Sequence, residues 1–213
     1  MATYDLDEQE RLDELKAWWK RWGNLLLIGL AAIVAAAAGW RYWQSEQVKE
    51  SLEAATAYEK VTQSLGVNDM KAARDAAALL ADKYEKSPYA ARAALLLAKQ
   101  HAADQDLKGA QSQLEWVVAH SKEAAVKDLA RLRLAGVQLD QKQYDDALKT
   151  LSATHSDAFA FRFEDLKGDV LLAQGKADEA RTAYQAAFAK LEDDHPYRSI
   201  VELKLDALGG AAK

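Results

Sequence analysis

Cysteine is absent from this chain of 213 residues, and proline and methionine occur twice each. Without cysteine there is no disulfide framework and no thiolate metal site. The compartment stays open, because a cysteine-free domain suits an oxidising or a reducing space. With Pro88 and Pro196 as the only prolines, abundant alanine and no β-branched clusters over long stretches, the composition predicts an all-helical fold. No low-complexity or long polar tract points to extended disorder. A basic excess is missing too. The net charge is −5, and residues 44–213 hold 23 of the 28 basic and 27 of the 33 acidic side chains. Phosphate recognition needs the opposite balance, so nucleic acid is not an expected partner.

Catalytic patterns are equally sparse. His101, His120, His155 and His195 form no H-E-x-x-H or close ligand pair, and their expected roles are structural or at the surface. There is no G-x-S-x-G, no phosphate-binding glycine loop and no dinucleotide fingerprint. Carboxylates such as Asp145-Asp146 and Glu192-Asp193-Asp194 read as solvated, mixed-charge surface. The expectation is a binding protein with no catalytic residue, cofactor or metal.

What is present begins with an apolar run. Trp22 to Trp40 are nineteen residues without a charge, closed by Arg21 and Arg41. At about 1.5 Å per residue this approaches the ~30 Å hydrocarbon thickness of a bilayer. Trp18, Trp19 and Trp22 stand at one end, and Trp40, Tyr42 and Trp43 at the other. Such rings favour the headgroup zone, so these six are the candidate membrane-interface residues, with lipid as their partner. Two other readings stay open. A cleaved signal peptide would use Leu25–Val34 as its apolar core and Ala36–Ala38 at the cut, although the aromatics continue past that point and the leading segment is long and acidic. A buried helix of a soluble protein would need no matched aromatic ends.

Lys20 and Arg21 hug the near end of the run, whereas Arg41 alone sits tightly against the far end. The positive-inside rule then places the N-terminus in the cytoplasm and the large domain outside it. Ala31, Ala35 and Gly39 recur every four residues, which marks either a packing stripe for another transmembrane helix or an ordinary alanine-rich span. Leu12, Leu15, Trp19 and Trp22 share one helical face and predict a short amphipathic helix at the membrane surface. The expected organisation is a tail over 1–21, a span over 22–43 and a helical-repeat domain over 44–213.

Beyond Trp43 the chain aligns with itself. Ala98 to Ala110, Ala135 to Ala147, and Gly168 to Ala180 each start on a small residue, cross a polar turn and reach alanine twelve positions later. An apolar residue follows four further on: Leu114, Leu151 and Tyr184. The copies are offset by 37 and 33 residues. A small residue on one helix and an alanine on the next let antiparallel helices approach closely, so these six small residues are the candidate repeat-packing positions. A fainter copy runs from Val61 to Ala73. Helix breaks are expected at Asp106, Lys142 and Gly175. The predicted helix pairs are 46–65 with 69–84, 88–104 with 106–119, 122–140 with 143–153, and 159–174 with 176–192. A last helix is expected from Pro196, at its first position, to Leu208, covering the end of the stack. Trp116 reads as either a core residue or a partner anchor. Phe159, Phe161 and Phe163 cannot all be buried by one helix face.

The small-residue and alanine positions resemble tetratricopeptide repeats. The chain departs from that pattern at Ala94, Arg131 and Glu164, where an aromatic is expected, and in lacking the repeat-end proline. A narrower resemblance is carried by Gly39-Trp40-Arg41-Tyr42-Trp43, Gln47-Val48 and Ala57-Tyr58. It continues through Arg133-Leu134-Ala135, Val137-Gln138, the run Asp145-Asp146-Ala147-Leu148-Lys149-Thr150-Leu151, Gly168-Asp169 and Ala180-Arg181. Together these resemble the YfgM family, the ancillary subunit of the bacterial Sec translocon. The resemblance implies an inner-membrane protein whose repeat domain stands in the periplasm. It implies association with the SecYEG channel and with a membrane-anchored chaperone of the prolyl-isomerase type, and help in passing client polypeptides onward. The alternative is an adaptor of another envelope machine, for cytochrome maturation or outer-membrane assembly.

Overall fold

The computed structural model describes residues 3–209, with side chains from residue 11 onward. Among these residues there are helices and turns and no strand. Helix α1 runs over Thr3–Gly66, followed by α2 (Met70–Lys83), α3 (Pro88–Ala103), α4 (Leu107–His120), α5 (Ala124–Asp140) and α6 (Tyr144–Leu151). A 3-10 turn at Asp157–Phe159 leads into α7 (Ala160–Ala173), then α8 (Ala177–Ala189) and α9 (Arg198–Ala207). The chain divides into two compact units that meet at Leu52 and Glu53, within α1.

In the first unit α1 is unbroken from the tail into the apolar run. The amphipathic segment holding Leu12, Leu15, Trp19 and Trp22 is therefore the first part of the same helix and not a separate one. Nothing between Trp18 and Asn24 breaks a helix except Gly23, and the Trp19 indole lies over that glycine, 3.2 Å from where a Cβ would stand.

The second unit is a stack of helical hairpins, all-α and tetratricopeptide-like. Successive helices pack on one another from α2 to α9. From 69 to 192 the expected helices match the observed ones to within a few residues, whereas the helix expected over 46–65 is the last part of α1 and has no start of its own. The joints share one geometry. Asn68, Gln105, Lys142 and Gly175 have positive φ of 58°, 61°, 60° and 80°. After each of them the chain folds back through the same pair of hydrogen bonds. The N–H groups of Asp69, Asp106, Gln143 and Lys176 donate to the carbonyls of Ser64, His101, Gln138 and Leu171 at 2.8, 2.8, 2.8 and 3.0 Å. The left-handed residues themselves donate to Leu65, Ala102, Leu139 and Leu172. This is the Schellman closure of a helix C-terminus, which satisfies carbonyls that would otherwise be left bare. The left-handed position in the second hairpin is Gln105, one residue before the expected Asp106. Asp106 is instead the N-cap of α4, accepting from the Gly109 N–H at 2.9 Å. Asp69 caps α2 in the same way through the Ala72 N–H. Gln143 and Lys176, at the equivalent places, make no side-chain cap.

Pro88 sits at the start of α3 behind the N-cap Ser87. Pro196 differs from expectation: α9 begins at Arg198, and Pro196 lies in the preceding turn. The Tyr197 N–H donates to His195 Nδ1 at 3.1 Å and the Arg198 N–H to the His195 carbonyl, so the histidine closes a turn that delays the helix.

Candidate interaction surfaces

The six interface aromatics are exposed on α1, with ring centroids 6.4 Å apart for Trp18 and Trp19 and 5.3 Å apart for Trp40 and Trp43. Trp40 lies eighteen helical steps beyond Trp22, a rise of about 27 Å. Between them almost nothing is buried: Ile28 is 66% and Ile33 is 68% exposed. A core helix of a soluble domain would cover such side chains, so that reading does not fit. The helix is long and apolar enough to cross a membrane and fits a single-pass protein. Ala31, Ala35 and Gly39 lie on this open surface, and a Cβ at Gly39 would meet nothing within 4 Å.

Ala98, Ala110, Ala135, Ala147, Gly168 and Ala180 are all buried. Their partners four residues past the alanine, Leu114, Leu151 and Tyr184, are buried as well. The sizes compensate. Val61 shares a cluster with Ala77, Ala98 with Leu114, and Ala135 with Leu151, whereas Gly168 faces the Tyr184 ring. A Cβ at Gly168 would stand 2.4 Å from that ring, so only glycine admits the tyrosine. Burying a leucine such as Leu114 stabilises the unit by about 1.5–3 kcal/mol.

Two polar networks tie the stack in ways the periodicity does not show. Lys204 on α9 donates to Asp165 at 2.8 Å and to both oxygens of Asp169 at 2.7 and 2.9 Å on α7. The Tyr184 and Tyr197 hydroxyls donate to Asp169 and Asp165 at 2.8 and 2.9 Å. Burial works against charging Lys204, but the two carboxylates outweigh it and hold its pKa above the usual lysine value. Burial first and the neighbouring carboxylates second push both tyrosine hydroxyls up. The second network centres on Asp128. Its Oδ2 accepts from the Ser156 N–H and hydroxyl at 3.0 and 2.9 Å, and its Oδ1 from Arg131 at 3.1 Å. Burial opposes the Asp128 charge, yet these donors prevail and hold its pKa below the usual carboxylate range. The only advance sign of either was an aspartate on a helix face otherwise given to packing, Asp165 three residues before Gly168.

His101 is buried beside Asp106, Nδ1 to Oδ2 at 2.8 Å, and braces the α3–α4 turn. Trp116 is half-buried between two core clusters and stacks on His120 at 4.7 Å. It borders a groove of about 290 Å³ walled by Ala77, Ala81, Ala90 and Ala94. A second groove, about 400 Å³, runs between α3 and α5 over Ala98, Ala102, Gly136 and Val137, with Lys99, Arg133 and Asp140 on its rim. Of the alternating phenylalanines before and within α7, Phe163 is buried, while Phe159 and Phe161 are half-buried. Among the described residues no three His, Asp or Glu side chains gather as metal ligands do.

The first unit thus offers an apolar helix and the second a set of helical surfaces. The family model of the tetratricopeptide repeat-like domain matches residues 16–210. The ancillary SecYEG translocon subunit of Escherichia coli (strain K12) is 33% identical over 87% of this chain and 89% of its own length. The protein of that name from Neisseria gonorrhoeae is 32% identical over 98% of this chain and 100% of its own length. That of Haemophilus influenzae is 29% identical over 87% of this chain and 90% of its own length.

Proposed function

The chain belongs to the tetratricopeptide repeat-like family of ancillary SecYEG translocon subunits, and we propose that it is a non-enzymatic scaffold held beside that channel in a bacterial inner membrane. In this reading residues 1–21 are a cytoplasmic tail, 22–43 the transmembrane anchor and 44–213 the periplasmic repeat domain. Lys20 and Arg21 support that orientation. The six interface aromatics seat the anchor in lipid, and Ala31, Ala35 and Gly39 offer a close-packing line to a neighbouring helix. The repeat-packing residues hold the stack in shape, and its surfaces receive a membrane-anchored periplasmic chaperone of the prolyl-isomerase type and newly exported clients. Tethering supports this physically, because a domain held near an exit site meets emerging chains at high effective concentration.

The observation that carries the reading is the extent of the match: 98% of this chain aligns with a relative of that name, apolar helix and repeats alike. The test places a photo-crosslinking residue at Lys99 or Arg133 in the full chain, in its own membrane. Adducts with channel subunits or with the chaperone are expected, and adducts with neither at normal expression would overturn the proposal. A phosphatase reporter at the C-terminus, active only outside the cytoplasm, checks the orientation separately.

A further inference from the structure

Helix α9 breaks the rule that the other helices of the stack obey. Helices α3, α5 and α7 each pack against the helix before and the helix after, whereas α9 packs against α8 and no helix follows it among the described residues. A terminal helix of a solenoid ordinarily turns a polar face outward. The outward face of α9 is not polar. Val201 and Leu205 point into the core, and Ile200, Leu203 and Ala207 form the opposite stripe at i, i+3 and i+7. Ile200 is 45% and Leu203 71% exposed.

The charges beside that stripe are of one sign. Lys204 is turned into Asp165 and Asp169, and Arg198 lies on the Phe188 ring and pairs with Asp193. Glu202 and Asp206, one turn apart along the stripe, are exposed and have no cation partner among the described residues, and the same holds for Glu192 and Asp194 in the preceding turn. Lys190 at the end of α8 is the one nearby lysine not drawn into an ion pair among the described residues. An apolar stripe edged by unneutralised acid repels its own copy and attracts a helix edged by base.

We propose that the outer face of α9 is a docking site for an amphipathic helix of a partner protein that carries lysine or arginine beside its apolar stripe. The partner helix takes the place that a following repeat helix occupies elsewhere in the stack, with its aliphatic side chains on Ile200 and Leu203 and its cations at Glu202 and Asp206. The proposal stands independently of the translocon reading, since it uses α9 alone.

The absence of cysteine gives a clean test. Ser199→Cys in the full chain, held in phosphatidylcholine nanodiscs, introduces a single thiol beside the stripe. A short synthetic leucine–lysine helix with one cysteine is the probe, and its leucine–glutamate counterpart the control. With copper–phenanthroline and dissolved oxygen as the oxidant, disulfide formation with the lysine helix is expected to be about tenfold faster than with the glutamate helix, and about tenfold faster than at Ser112→Cys beside Trp116. Adding Leu203→Lys should remove most of the advantage, and the high exposure of Leu203 leaves the fold intact. Equal rates for the two probes, or no effect of Leu203→Lys, would overturn the proposal. So would a Ser199→Cys homodimer that forms faster than the peptide adduct, because the site would then belong to a second copy.

Discussion

Aliphatic side chains are used in opposite directions by the two units. In the first, Ile28 and Ile33 stand outward along α1 and are exposed among the described residues. In the second, Leu114 is 1% exposed and Tyr184 is closed over by a glycine. Water cannot hold both arrangements. The second unit makes its own apolar interior, while the first requires an apolar surrounding, which a bilayer supplies. Residues of one kind thus do different work according to whether the protein or the membrane provides the solvent.

This contrast can be broken from either side. The largest effect is expected at Leu114→Ala, which empties a filled site and should cost about 2–5 kcal/mol of the repeat domain's stability, read from urea unfolding of the full chain. The first unit should be indifferent to such truncations and sensitive to charge. Ile33→Lys should cost about 2.5–3.5 kcal/mol of membrane insertion, seen as loss of the carbonate-resistant membrane fraction, and Ile33→Ala much less. If Ile33→Lys leaves the protein membrane-embedded, the contrast fails. Gly168→Ala should destabilise the last hairpin by about 1–3 kcal/mol through the Tyr184 ring, and pairing it with Tyr184→Leu should restore most of that loss.

Acid probes the polar ties of the second unit. Asp128 and Asp106 both have folded pKa values held below the usual carboxylate range. For Asp106 the Gly109 N–H is the main cause, ahead of His101. A depressed folded pKa gives stability that is present above the unfolded value of about 3.9 and is lost as pH falls through the lower folded value. The melting temperatures of the parent and Asp128→Asn should therefore differ at neutral pH and converge in strong acid. The smallest effect expected is a gain. Lys142→Gly relieves a left-handed lysine, and Lys176→Asp supplies a missing cap and removes a cation from a helix start. Each should add about 1 kcal/mol to the repeat domain and nothing to the behaviour of the first unit.

The hairpins were legible in the sequence because their geometry depends on side-chain size at fixed intervals. Ala98, Ala110 and Leu114 can be read as a close-packing set before any coordinates, and the 37-residue step carries the reading to Ala135. The apolar run was legible for a similar reason, since Trp22 and Trp40 mark its length. Other features depend on contacts between distant residues. Nothing local in Lys204 says that it will meet Asp165 and Asp169 across 39 and 35 positions of chain. The delayed start of α9 was hidden because Pro196 favours a first helical position in isolation, and only the His195 ring diverts it. The continuity of α1 was hidden because amphipathic tail and apolar run look like separate elements when judged by composition.

The pairing of Gly168 with Tyr184 has a consequence for how the chain finds its partners while folding. Repeats that look alike invite a helix to dock on the wrong neighbour, a known failure of such proteins. Here the two ends of the stack differ in size from its middle, with valine over alanine at one end and glycine under tyrosine at the other, while the two middle hairpins share alanine and leucine. A tyrosine that needs a glycine cannot settle on Ala98 or Ala135, so α8 has one berth in the stack that accepts it. The size match acts as a proofreading mark for the last hairpin, while the two middle hairpins, which share alanine and leucine, are not told apart by it.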